Sequence, residues 1–199
     1  MTRILIRNAD VLVTMDDGER EIADGAIAFE NGVITAVGTS AELATLADGA
    51  EAFDAAGCVI TPGLVNTHHH LYQTLTRAVP GCASSSLFGW LKTLYPIWAR
   101  YTPQDVYAAT RLGLAELALS GCTLSSDHLY LFPNGVTLDD TIAAAASVGL
   151  RFHPTRGSMS VGESAGGLPP DSLVEREDAI LADTIRVIDR FHDASEGSM

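Results

Sequence analysis

From Val59 onward the chain repeats one pattern three times: a short apolar run, then a helical period. The runs are VITPGLVN (59–66), CTLSSD (122–127) and LRFHPTR (150–156). After the first comes a helix-poor loop, expected over about 75–101, that carries Trp90 and Trp98. A helix then follows over TPQDVYAATRLGLAELALSG, with Thr102 as cap, Pro103 in the first turn, Asp105 three residues after the cap and Gly121 as its end. TLDDTIAAAASVG reads as a second helix stopped by Gly149. After the flexible loop GSMSVGESAGGLPP, Ser172 and Glu175 form a capping box for a third helix, with Leu181, Ile185 and Ile188 as its apolar stripe. Strand and helix in alternation make an α/β fold with a parallel sheet. Three strands are too few for an eight-stranded parallel barrel, which needs about 250 residues. The chain is therefore expected to be the N-terminal part of a larger protein.

Residues 1–57 differ. ILIRNADVLVTM, AIAFENGVITAVG and AEAFDAAGCVI are strand-like and separated by turn residues: DDGE, the Asp24-Gly25 step and ENG. Asn31-Gly32 fits a two-residue hairpin turn. These runs predict a small antiparallel sheet or half-sandwich. The expected division is 1–58 as the N-terminal part of a β-sandwich domain and 59–199 as the N-terminal part of the parallel fold.

The 199 residues carry a net charge of −13. An acidic chain repels phosphate backbones and anionic lipid, so neither nucleic acid nor membrane is an expected partner. Cys58, Cys82 and Cys122 match no zinc or redox spacing and fit reduced thiols in the cytoplasm. No segment has the roughly 20 apolar residues of a membrane span, and the N-terminus does not read as a signal peptide.

PGLVNTHHH places three of the six histidines together, directly after the first apolar run. If the strand continues through them, His68 and His70 share one side and His69 takes the other. Imidazoles at i and i+2 can converge on one cation, and the C-terminal end of a strand is where parallel barrels build active sites. Imidazole suits zinc, iron, nickel or copper better than magnesium or calcium. The competing reading is a solvent-exposed loop without a role.

PGLVNTHHH resembles the first-strand signature of the metal-dependent amidohydrolase superfamily, PGxxxxHxH. DAAGCVITPG resembles the end of that superfamily's small β-sandwich domain. The longer stretches PGLVNTHHHLYQTLTRAVPG, LFGWLKTLYPIWARYTPQ, GCTLSSDHLYLFP and TRGSMSVGESAGGLPP are similar to the branch containing 8-oxoguanine deaminase and hydroxyatrazine ethylaminohydrolase. The resemblance implies the first three β/α units of an amidohydrolase-type (β/α)8 barrel, preceded by part of the sandwich domain.

It also implies that His68 and His70 bind one divalent metal, zinc first and iron second, with no organic cofactor. Gln73, three residues further on, corresponds to a glutamine that contacts the purine in guanine-type deaminases; the alternative is a bond to loop backbone. His69 is a packed or supporting imidazole, His128 a supporting one and His153 a core residue. Arg156 binds a substrate carbonyl or pairs with a carboxylate. Trp90 and Trp98 wall a ring pocket or anchor the loop. Lys92, the only lysine, lies in the wrong place to serve as a carboxylated ligand.

The implied reaction is hydrolytic deamination of an amino-substituted heterocycle, 8-oxoguanine giving urate and ammonia. An aminotriazine ethylaminohydrolase and a non-catalytic metal-binding domain are the alternatives. The implied partner is a small heterocyclic substrate, with a homo-oligomer expected for the full-length protein. By family order the remaining metal ligands and the proton-transfer carboxylates lie beyond residue 199. No catalytic residue is assigned here, and this chain alone is expected to be inactive.

Overall fold

A computed structural model describes residues 2–193; residues 194–199 of the expected barrel portion lie outside it. The chain forms two compact units, Met1–Pro62 and Gly63–Met199.

The first unit is a five-stranded sheet. Strands β1 (Arg3–Val13), β2 (Glu21–Glu30) and β3 (Val33–Thr39) form an antiparallel meander. Strands β4 (Glu51–Asp54) and β5 (Val59–Ile60) join β1 in parallel, so the sheet is mixed rather than purely antiparallel. Asn31 and Gly32 form the β2–β3 turn with φ of 52° and 84°, the double left-handed geometry that splices two strands with their natural twist. Asp24-Gly25, expected as a turn, lies inside β2, and the β1–β2 register slips between Ile6 and Ala9 opposite it. Leu5, Ala26, Ala28 and Leu43 form this unit's core.

The run VITPGLVN is not one strand. Val59–Ile60 pairs with β1, while β6 (Leu64–Asn66) opens the second sheet. Pro62 cannot donate a ladder bond, and the chain changes sheets there. Nor is the run buried on both faces: Val59, Leu64 and Val65 are all exposed.

The second sheet has the order β6–β7–β8, with β7 Cys122–Leu129 and β8 Arg151–Arg156, all parallel. Between β6 and β7 run helices α1 (Leu87–Trp98) and α2 (Pro103–Leu119). Helix α3 (Leu138–Val148) joins β7 to β8, and α4 (Glu177–Phe191) follows β8.

Helix α1 overturns the expected helix-poor loop. Ser86 caps it, accepting from Gly89 N. Pro96 argues against a helix there, at a cost of about 3 kcal/mol. Packing outweighs that cost: Trp98 is fully buried beside Leu94 and Tyr95, and hiding an indole contributes roughly 5 kcal/mol.

The Thr102–Asp105 box starts α2 as the spacing predicts. Gly149, at φ 79°, closes α3. The Ser172–Glu175 box does not form. Asp171–Leu173 is a separate short turn, and α4 starts only at Glu177, because Glu175 is held elsewhere by Arg156. The stripe Leu181, Ile185 and Ile188 is exposed, and α4 instead buries Val187.

Replacing Gly32 by Val should cost about 1–2 kcal/mol of stability, since a branched side chain resists the left-handed region. Urea unfolding checks this, with Asn31→Gly expected within a few tenths of a kcal/mol of the unsubstituted chain.

Candidate metal centre

β6 ends at Asn66, so the histidines lie on the loop just past the strand end. The rings of His68 and His70 meet edge to face with centroids 5.3 Å apart. Both line a cavity of about 530 Å³ with Asn66, Ser126, His153 and Thr155. A smaller recess is lined by all three histidines with Gln73, Thr74 and Arg77. Burial, then the charges of Arg77 and the flanking histidines, lowers the His69 pKa, and its buried Nδ1 has no partner.

The loop is tied to β7 at successive residues. His128 N donates to His69 O at 2.9 Å. His70 Nδ1 lies 2.8 Å from His128 O. Leu71 N donates to Asp127 Oδ1 at 2.7 Å. A carbonyl only accepts, so His70 Nδ1 must carry the proton. Its Nε2 therefore keeps the lone pair a cation needs, which is how metal-binding imidazoles are commonly oriented. On this donor chemistry the pair fits a borderline-soft divalent ion. Among the described residues no group of three His, Cys, Asp or Glu is placed to hold a metal.

His128 supports the site through its main-chain carbonyl, while its ring stands 5.3 Å from that of His70. Burial, then the charges of His70 and His68, lowers its pKa and favours the neutral form. His153 is not a core residue: strand alternation turns it into the cavity with Thr155. Arg156 faces the other way. Its guanidinium is 3% exposed, pairs with Glu175 at 2.5 Å and Asp183 at 3.0 Å, and stands 4.1 Å over the Phe132 ring. It is a structural clasp.

Gln73 lies in the small recess, its Nε2 donating to Tyr72 Oη at 3.1 Å. Trp98 is a core anchor, bonded through Nε1 to Thr76 Oγ1 and edge-on to Trp90, Tyr72 and Tyr95. Neither tryptophan lines either cavity. Lys92 lies on α1, not in a loop.

Asp127 is the residue that sequence reasoning passed over. It is 1% exposed, and burial pushes its pKa up to about 7 against the bonds from Leu71 and His128 backbone. Its only signal was its place at the end of a strand beside a histidine.

The Amidohydrolase family model matches residues 59–197. The chain belongs to the amidohydrolase family. It is 44% identical to an 8-oxoguanine deaminase of Pseudomonas aeruginosa, over all of this chain and 44% of that one. It is 31% identical to a hydroxydechloroatrazine ethylaminohydrolase of a Pseudomonas species, over 96% of this chain and 37% of that one. The crystal structure of an atrazine chlorohydrolase from Arthrobacter aurescens complexed with zinc superposes with a TM-score of 0.86 at 32% identity, covering 96% of this chain and 44% of that one. The chain thus spans less than half the length of these amidohydrolases. Its parallel strands are the opening β/α units of the amidohydrolase (β/α)8 barrel.

Two predictions follow from the buried charges. Asp127 is harder to ionise folded than unfolded, so its contribution to stability falls as pH rises from about 4 to 7. Asp127→Asn should remove that slope, worth at most about 4 kcal/mol across the window, as measured by urea midpoints against pH. Arg156→Ala should cost about 3 kcal/mol by leaving Glu175 unpaired and Asp183 with Arg186 alone, read from the same curves.

Proposed function

We propose that this amidohydrolase chain is the first part of a metal-dependent deaminase that hydrolyses a C–N bond of an amino-substituted heterocycle, with 8-oxoguanine, giving urate and ammonia, as its substrate. The observation that carries the reading is the His68–His70 pair past the end of β6, with the proton of His70 held on Nδ1 by the His128 carbonyl. Similarity to an 8-oxoguanine deaminase along the whole chain supports the choice of substrate.

His68 and His70 would hold one divalent ion, zinc by analogy with the zinc-bound relative and iron as the alternative. When bound, such an ion lowers the pKa of water towards 7 and so makes a nucleophile at neutral pH. His70 keeps its free nitrogen aimed by donating the other to His128 O. Gln73, beside the same histidines, offers donors and an acceptor to a mixed base edge. The remaining ligands and the proton-transfer carboxylate belong to later strands of the barrel. The whole protein is read as a homo-oligomer of the cytoplasm that takes a small heterocycle and not nucleic acid, in keeping with the net charge of −13 on these 199 residues. No helix among the described residues is long and apolar enough to cross a membrane.

A second reading, an aminotriazine hydrolase, is favoured by the hydroxydechloroatrazine ethylaminohydrolase and atrazine chlorohydrolase relatives. A substrate panel on the barrel completed with its later strands decides. Metal-dependent ammonia release from 8-oxoguanine, faster than ethylamine release from a hydroxylated triazine, is expected; the reverse order selects the second reading. Turnover of neither rejects both. Residues 1–199 alone should release no ammonia. Their zinc affinity should fall about tenfold or more in His68→Ala and in His70→Ala, measured by competition with a chromophoric chelator.

A further inference from the structure

The amidohydrolase reading uses the histidines but leaves unexplained the most costly side chain beneath them. Asp127 shares the buried face of β7 with Ser125 and Leu129. Its Oδ2 has no hydrogen-bond partner, and its Oδ1 accepts from Leu71 N. A buried carboxyl so poorly partnered works against folding.

What the carboxyl holds is specific. Leu71 follows His70 directly and is fully buried, so its N–H has no water to fall back on. His70 itself supplies no side-chain cap to the Leu71–Thr76 turn. The flanking bonds, His128 N to His69 O and His70 Nδ1 to His128 O, come from the next residue of the same strand. The main chain on both sides of His70 is thereby fixed against β7, before and after the imidazole. Removing the Asp127 bond frees the C-terminal side, and the ring can then leave the His128 carbonyl.

We propose that Asp127 is a positioning residue: through Leu71 N it sets the height of His70 against β7, and so keeps the imidazole on the His128 carbonyl with Nε2 free for the metal. The consequence for metal affinity rests on the reading of His68 and His70 as ligands; the consequence for the imidazole does not.

The test uses residues 1–199 with zinc ion as the probe, in Asp127→Ala, Asp127→Leu and Asp127→Asn. The leucine variant keeps the volume and an apolar fit, and serves if the alanine variant does not fold. Histidine ¹⁵N chemical shifts report the tautomer of His70. Competition with a chelator reports zinc affinity, and thermal melts report stability. The wild type and Asp127→Asn, which retains an acceptor for Leu71 N, should hold the Nδ1–H form. Asp127→Ala or Asp127→Leu should show mixed tautomers and a loss of zinc affinity of about 10–100-fold. Leu138→Ala, a core change at the start of α3, should lower the melting temperature and leave both readouts alone. A folded alanine or leucine variant with an unchanged His70 tautomer and unchanged zinc affinity overturns the proposal. So does loss of the Nδ1–H form in Asp127→Asn. If residues 1–199 bind zinc too weakly to measure, the affinity comparison is made on the barrel completed with its later strands, where failure to bind zinc rejects the metal reading, and the tautomer comparison decides the role of Asp127 in either case.

Discussion

The structure of the site depends on the hydrogen-bonded seam between residues 66–71 and β7. β6 has only three residues, so strand pairing of its own stops short of the loop that follows it. The seam orients that loop. Asn66 reaches Ser125 Oγ and also accepts from His68 N, and the bonds at His69, His70 and Leu71 carry the pairing past the strand's end. Each bond has a main-chain or short side-chain group on either side and fixes a position one residue from the next, which leaves the loop little freedom. A loop with three histidines thus becomes a rigid presentation of two.

The two faces of the second sheet divide the work. Leu124, Ser126, His153 and Thr155 point to the cavity beside the histidines. Ser125, Asp127 and Leu129 share the buried face of β7, and Arg156 is buried against Glu175, Asp183 and Phe132. Arg156 fixes α4 and the segment before it through Glu175 and Asp183, while Trp98 fixes α1 through Thr76 and the Tyr72 ring. Helices so anchored let the strand ends stay irregular, as a site-bearing edge must be.

Much of this was legible in order along the chain. The alternation of β and α elements, the Thr102–Asp105 box, the Asn31-Gly32 turn and the stop at Gly149 depend on neighbours within a few residues, and all appear where spacing puts them. Helix α1 was not legible, because Gly, Ser and Pro obscured a segment that long-range burial of Trp98 stabilises. The Ser172–Glu175 box failed for a related reason: a buried guanidinium competes better for Glu175 than a local helix start does. His153 was assigned to a core because strand position alone does not say which face is covered.

The sequence by itself determined the alternation of strands and helices after residue 59, the Thr102–Asp105 cap, the Asn31-Gly32 turn and the stop at Gly149, since these follow from periods of two to four residues. Only the tertiary structure decided which nitrogen of His70 carries the proton, that Asp127 lies beneath it, and that Arg156 is a clasp and not a ligand. Those outcomes depend on His128, Leu71, Glu175 and Asp183, groups tens of residues away or on the opposite face of a strand. Local pattern does not encode which of them the folded chain brings within hydrogen-bond reach.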